Sequence, residues 1–321
     1  MTEALSWHWI FLINVPIGIA AILLVKFYIP KSDEPPKKEP FDWVGSLMMF
    51  GSIATFILML ERGPSLGWIS PPILILAFVF VVLTAAFCIC SLKARFPLIN
   101  IRIFKHWKFT SVSISYLLTC ELFAGVMYIM PYYLEKPMEL DAGTSGLLLM
   151  LSAVMTAAAG IPSGSWSDRI GCKFPCILAA LCRIIFCLLL IFIVPAWGIA
   201  GVVPALIFMG LAFGISGGPS STRIIQLSPE GEEGTGTSVM ITTGLLGEVI
   251  GVAAFSVVFS LAAPDSIGIS VADLNLKIFM TGFHATAVLG LIFAVATLIF
   301  TAIVPNYIAK READELIVES K

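Results

Sequence analysis

Residues 69–92 read ISPPILILAFVFVVLTAAFCICSL, a run that contains no charged side chain. An α-helix rises 1.5 Å per residue, so about twenty such residues cross the roughly 30 Å hydrocarbon core of a bilayer. A helix that is apolar on every side has to be surrounded by apolar material. The stretch therefore predicts a transmembrane helix.

Eight further stretches have a similar length and polarity. The nine predicted spans are residues 9–29, 42–60, 69–92, 107–134, 144–166, 174–195, 197–219, 236–263 and 278–305. Gly and Pro recur inside them, which membrane helices tolerate and use for close packing. The strands of a membrane barrel would be shorter and would alternate in polarity. The sequence predicts an all-α membrane protein with about nine transmembrane helices.

The overall composition supports the same class. Of 321 residues, 58% are hydrophobic and 12% are charged, and the mean hydropathy is +0.98. Ordinary soluble domains have about 25% charged residues, and a soluble protein this apolar could not cover its surface. The net charge of −2 does not suggest a nucleic-acid partner.

The placement of basic residues predicts the direction of the helices. If the first span runs from outside to inside, fifteen of the nineteen Lys and Arg residues lie in inside segments. The outside segments contain only Arg62, Lys136 and Lys277, and Arg183 lies within a span. Basic residues concentrate in cytoplasmic loops. We therefore expect the C-terminus to be cytoplasmic and the N-terminus of this chain to lie outside.

Cysteine and histidine do not form a pattern typical of a metal centre or an enzyme. The seven cysteines, which lie in or beside apolar runs, are Cys88, Cys90, Cys120, Cys172, Cys176, Cys182 and Cys187. They are interpreted as small packing residues. The three histidines are scattered, so no metal site, cofactor or catalytic constellation is predicted.

The opening residues 6–18, SWHWIFLINVPIG, are a specific signature. They resemble the sixth helix of the fourteen-helix drug:proton antiporters of the major facilitator superfamily. The matching residues are Trp7, Trp9, Asn14, Pro16 and Gly18, and His8 stands where that family usually has Arg. Nothing in the physics of helices demands this string.

Residues 164–173, GSWSDRIGCK, resemble the loop motif of the same superfamily. The motif residues are Gly164, Asp168, Arg169, Gly171 and Lys173, while Cys172 replaces a basic residue. Asp168 can pair with basic residues near a helix end, and Gly171 permits a tight turn. The resemblance implies that this loop latches one helix bundle against the other on the cytoplasmic side. The alternative is a solvated turn.

The resemblance covers essentially the whole chain and implies its organisation. Residues 1–29 would be the last helix of an N-terminal bundle, 30–106 a cytoplasmic linker with an inserted helix pair, and 107–321 a six-helix C-terminal transporter domain. The family carries its first five helices before this point, and this sequence does not contain them. We therefore expect an N-terminally truncated chain.

Four ionisable residues inside predicted spans are weighed as functional candidates: Glu121, Glu248, Arg183 and His284. A lone histidine such as His284 is interpreted as a packing or interface residue, and the alternative is a proton relay. Glu121 and Glu248 are candidates for binding a proton or a cation, because an ionisable group in mid-bilayer is costly. Glu248 departs from the family pattern, which usually has Gly there. Arg183 is expected to neutralise a carboxylate or to snorkel toward the interface. Either carboxyl could instead pair with Arg183 or with neighbouring backbone. Additional polar contacts could come from Asn14, Tyr116, Thr119, Tyr128 and Tyr132.

The resemblance implies a proton-coupled exporter of drugs or other small amphipathic molecules in the plasma membrane. Its partners would be the small-molecule substrate, protons and the lipid bilayer. The alternative is an inactive remnant, or a half-transporter that needs a separate N-terminal half. A membrane enzyme is disfavoured, since no catalytic constellation lies on one membrane face.

Overall fold

The computed structural model describes residues 12–28, 42–67, 69–94, 97, 99–228, 233–264 and 274–306. Every regular element within these ranges is helical. The helices are α1 (Asn14–Tyr28), α2 (Trp43–Leu66), α3 (Pro71–Lys93), α4 (Trp107–Glu135), α5 (Ala142–Ile170), α6 (Lys173–Trp197), α7 (Ile199–Gln226), α8 (Glu233–Ala262) and α9 (Leu276–Ile303). A short 3-10 helix, Ile101–Lys105, precedes α4.

The predicted class, an all-α membrane protein, is confirmed. Among the described residues, helices α2 to α9 are long and apolar enough to cross a bilayer. Helix α1 is a shorter apolar helix of 15 residues, and part of its predicted span lies outside the described residues. It belongs to a separate compact unit, residues 1–41, whereas α2 to α9 belong to the other.

Two helices extend six or seven residues beyond their predicted ends, further than the others. Helix α2 continues past Leu60 to Leu66, and α7 continues through Pro219 to Gln226. Proline lacks an N–H group, so Pro219 leaves the carbonyl of Ile215 without its helical donor. The Ser163 hydroxyl on α5 donates to that carbonyl at 2.6 Å. Because this bond satisfies the freed carbonyl, the helix need not end at the proline.

Side-chain caps mark where three helices begin. Asp42 accepts a hydrogen bond from the Gly45 amide at 2.8 Å, and Asn275 accepts one from the Lys277 amide at 2.9 Å. Asp141 accepts from both the hydroxyl and the amide of Thr144, at 2.7 and 2.9 Å. These two bonds hold the pKa of Asp141 below its ordinary value. Each cap satisfies amides that the first helical turn leaves unpaired.

Helices α4 to α9 pack into one bundle around an apolar core. The most extensive contacts are between α5 and α7 and between α4 and α8, followed by α6 with α7 and α9 with α4. Helix α6 contains a π-helical turn at Leu189–Ile193. Beside it, Tyr133 donates to the Val194 carbonyl at 3.2 Å and stacks on Phe283 with ring centroids 4.4 Å apart. These contacts join α4, α6 and α9.

Helices α2 and α3 form an antiparallel pair. The hydroxyls of Ser52 and Thr84 lie 2.7 Å apart, and the rings of Phe56 and Phe80 stack with centroids 4.9 Å apart. Helix α2 also contacts α8 of the bundle. The pair therefore lies against the six-helix bundle on the side that α4 and α8 form.

Glycines on α7 permit its close approach to α5. An ideal Cβ atom on Gly210 would lie 2.7 Å from the Cβ of Met155, and one on Gly214 would lie 2.9 Å from the Cβ of Ala159. Small residues four apart are a common device for bringing membrane helices together. The α5–α7 contact depends on both positions having no side chain.

We predict that Gly214→Ala lowers the melting temperature of the purified protein in detergent. The added methyl would meet the backbone of Thr156 and the Ala159 side chain, and overpacking of this kind costs about 1–3 kcal/mol. The control is Gly217→Ala on the same helix, where a Cβ would have nothing within 4 Å. Equal melting temperatures for the two variants would contradict the packing role of Gly214.

Candidate functional site

A cavity of about 750 Å³ lies where α2, α4 and α8 meet. Its walls are mostly apolar and include Leu60 from α2, Phe123 and Met127 from α4, and Val252 from α8. Ligand pockets for small molecules typically enclose about 300–1,000 Å³. The cavity is therefore large enough for a drug-sized molecule.

Two carboxylates provide the ionisable groups of this cavity. Glu61 enters from α2 and Glu248 from α8, and both side chains are exposed. Among the described residues that line the cavity, none is basic. Tyr128 and Ser256 add hydroxyl groups, which interact with each other across the α4–α8 junction. The cavity therefore has mostly apolar walls that carry a net negative charge.

Phe123 is one of the aromatic residues of this wall. Its ring stacks on that of Phe213 of α7, with centroids 4.3 Å apart. The contact fixes one wall of the cavity to the interior of the bundle. An aromatic wall beside carboxylates is a favourable surface for an apolar cation.

Two glycines on α8 allow it to pack closely against α4 beside the backbone of Glu121. An ideal Cβ on Gly247 would lie 2.7 Å from the Leu117 carbonyl oxygen, and one on Gly251 would lie 2.6 Å from the Cα of Glu121. Glu248 lies one turn before Gly251. The two predicted proton sites are thus brought to the same helix interface, with Cys120 within electrostatic range of both.

The environments of Glu121 and Glu248 differ. Glu121 is buried, with 5% of its surface exposed, whereas Glu248 is exposed to the cavity. One carboxyl is therefore surrounded by protein and the other faces open space. No group of three or more His, Cys, Asp or Glu side chains that could hold a metal ion occurs in the described part of the chain.

Arg183 was expected to neutralise a carboxylate or to snorkel, and the structure shows neither arrangement. Its side chain is 4% exposed and donates to the Ser216 hydroxyl at 2.6 Å and to the Ala212 carbonyl at 3.4 Å. Within the described residues it forms no ion pair with Glu121 or Glu248. The reason is position, because Arg183 faces neutral acceptors on α7.

The loop motif joins α5 to α6 and is held by the end of α9. Gly171 has a φ of +83°, a positive value that residues with a side chain rarely adopt, as expected for the tight turn. The Asn306 side chain donates to the Ile170 carbonyl at 2.9 Å and accepts from the Lys173 amide at 3.1 Å. It occupies the space that a Cβ on Gly171 would need. Gly164 lies within α5, and Asp168 and Arg169 are exposed.

Arg223 secures the same end of the bundle from α7. The predicted span ends at residue 219 and places Arg223 in an inside segment, but this residue is 2% exposed and lies in the last turn of α7. Its guanidinium donates to the carbonyls of Thr301, Val304 and Pro305, the closest at 2.7 Å. Together, Asn306 and Arg223 tie α9 to the ends of α5, α6 and α7.

The opening signature is only partly described. Trp7 and Trp9 lie outside the described residues, while Asn14, Pro16 and Gly18 lie in the first turns of α1. This helix is in the other compact unit and is described by itself.

Two residues of these sites were missed by sequence reasoning. The predicted span ends at Leu60 and leaves Glu61 outside it; the available signal was a carboxylate directly after an apolar run. Asn306 follows the last helix and is 133 residues from Lys173. No local pattern indicates that contact.

Comparison with known proteins gives the family. The model of the Major Facilitator Superfamily matches residues 1–252, which is more than half of the chain. The "Uncharacterized MFS-type transporter YvkA" of Bacillus subtilis is 25% identical over 78% of this chain and 55% of its own length.

Two other relatives carry resistance names. "Multidrug resistance protein 3" of Bacillus subtilis is 31% identical over 50% of this chain and 32% of its own length. The "Methylenomycin A resistance protein" of the same organism is 25% identical over 82% of this chain and 56% of its own length. The chain thus spans about half or less of the length of these relatives. By its family match, its helical architecture and its loop motif, the chain belongs to the Major Facilitator Superfamily.

Proposed function

We propose that the chain is a secondary transporter that exports drugs or other small amphipathic molecules in exchange for protons. The observation that carries this proposal is the cavity of about 750 Å³, with its apolar and aromatic walls and its exposed carboxylates. Relatives named as multidrug and antibiotic resistance proteins support the substrate class. Broad substrate ranges suit a cavity built from generic apolar surface with few polar groups.

Protons would be carried by Glu121 and Glu248. A buried carboxyl away from water favours its neutral form, so Glu121 is suited to hold a proton and release it when water reaches it. Glu248 lies on the cavity side of the same interface. Motion between α4 and α8 would change the access of water to both carboxyls, and thereby link proton release to substrate movement.

The motif loop would keep the bundle intact during that motion. Rocking transport requires helices to move as groups about a fixed site. The Asn306 and Arg223 contacts join the ends of α5, α6, α7 and α9. We propose that these four helices move together, and that Gly171 and Lys173 act as the attachment points of the loop.

A second candidate is a transporter that works only with a separate N-terminal half. The observation that favours it is the alignment with 32% to 56% of the length of the relatives described above. Alternating access in this superfamily uses two related halves around one site. The active unit would then contain this chain and a partner.

We predict that cells lacking their own exporters gain efflux of ethidium when they express this chain. Energised cells should lose the dye faster than cells with an empty vector, and an uncoupler should abolish the difference. A parallel strain carries a genomic fragment that extends upstream of Met1. Efflux only in that strain would favour the second candidate, and efflux in neither strain would overturn the proposed function.

In whichever strain transports, we predict that Glu121→Gln reduces uphill efflux to the empty-vector level. Dye exchange down its own gradient should persist, because the glutamine preserves the shape of the side chain but cannot release a proton. Glu248→Gln should reduce uphill efflux as well. The matched control is Glu135→Gln, at the exposed end of α4 and away from the cavity. Undiminished uphill efflux by Glu121→Gln would remove this residue from proton coupling.

We also propose that the chain lies in the plasma membrane with its C-terminus cytoplasmic, as the distribution of Lys and Arg predicts. In a cysteine-free background, Lys277→Cys should react with a membrane-impermeant thiol reagent added to intact cells. Lys105→Cys should react only after the cells are opened. Both side chains are exposed in the structure. The reverse pattern of labelling would contradict the orientation.

A further inference from the structure

Helix α2 belongs to the pair that the family resemblance treats as an insertion outside both bundles. In the structure it is one of the three walls of the cavity, where it provides Ile57, Leu60 and Glu61. A helix that only filled space against lipid would not need a carboxylate at this position. The cost of a charge near the apolar part of a membrane protein makes such a residue a functional candidate.

The position of Glu61 is set by contacts on the opposite face of α2. The Ser52–Thr84 hydroxyl contact and the Phe56–Phe80 stack hold α2 against α3. Glu61 follows Ser52 by nine positions and Phe56 by five on α2, and it is exposed, with its side chain bordering the cavity. It therefore faces the same space as Glu248 from a different element.

The cavity has a charge as well as a volume. Glu61 and Glu248 are its ionisable residues among those described, and no Lys or Arg side chain lines it. A carboxylate on the wall of such a cavity attracts a cation and repels an anion, and both effects are stronger than in bulk water where the apolar walls exclude water. The apolar walls favour a large organic body, so the complementary ligand is an amphipathic organic cation.

We infer that Glu61 contacts the substrate and selects for positive charge, which makes the inserted helix α2 part of the binding site. The inference rests on the proposed function for the identity of the ligand as a transported substrate. It extends that function by naming a residue from outside the six-helix bundle. Glu248 provides the second carboxylate from the bundle side, and Phe123 and Tyr128 provide aromatic surface in the same cavity.

The test measures binding of two probes of nearly identical shape and opposite charge. Tetraphenylphosphonium is the cation and tetraphenylborate the anion, and each is measured by equilibrium dialysis against the purified protein. The wild-type protein should prefer the cation. Glu61→Gln should weaken cation binding about tenfold, the order expected for the loss of one close charge in a partly desolvated site. The Glu61→Gln substitution should also reduce the difference in affinity between the cationic and the anionic probe.

Two further variants separate a direct contact from a general charge effect. Glu61→Asp keeps the charge and should bind the cation more tightly than Glu61→Gln does. Glu135→Gln removes the same charge from an exposed site that does not line the cavity, and should bind like the wild type. Equal weakening by Glu61→Gln and Glu135→Gln would overturn the inference, as would unchanged binding by Glu61→Gln.

Lipid is the alternative occupant of this cavity. If phospholipid fills it, the wild-type protein will bind neither probe, or will bind both alike, and either result overturns the inference. The ethidium efflux assay keeps this failure separate from that of the proposed function. If the wild type transports ethidium and the Glu61→Gln variant transports it equally well, the proposed transport function stands and Glu61 is not part of the binding site. If the wild type shows no efflux in either strain, the proposed transport function is overturned.

Discussion

Every backbone polar group that enters the bilayer needs a partner within the protein, because hydrocarbon provides none, and a buried polar side chain is costly without one. This constraint selects helices, whose backbone bonds close within one segment. It also explains the placement of the exceptions. Pro219 frees the Ile215 carbonyl, and Ser163 on the neighbouring helix donates to it. Arg183, buried in the bundle, finds the Ser216 hydroxyl and a backbone carbonyl.

The same constraint explains why glycine is so prominent at the helix contacts. Association of helices in lipid gains little from the hydrophobic effect and depends on close packing. Gly210 and Gly214 permit this on α7, and Gly247 and Gly251 permit it on α8. The second pair also determines the site. Because α8 approaches the backbone of Glu121 so closely, Glu121 and Glu248 lie at the same helix interface, where Glu121 is buried and Glu248 faces the cavity.

The class of fold and most of the helices are predictable from the sequence, since the length of an apolar run is set by the thickness of the bilayer. The ends of the helices are harder to predict from the sequence. Pro219 predicts the end of its helix. The helix continues because the hydroxyl of Ser163, more than fifty residues away in the sequence, donates to the carbonyl that the proline leaves unpaired. Gly171 was predictable because its turn needs a residue that tolerates positive φ. Asn306, which completes that turn, was not, because its contacts cross 133 residues.

The cavity illustrates the other limit of sequence reasoning. Glu248 and Glu121 could be found because each interrupts an apolar run. Glu61 has the same chemistry but sits at the edge of its run, where a charge usually means the start of a loop. Which of these carboxylates share a space depends on how α2 lies against α4 and α8, and that arrangement is tertiary. Once that arrangement is known, the charge of the cavity follows: its described lining contains two carboxylates and no basic side chain, so the wall is negative. This negative charge favours a cationic ligand.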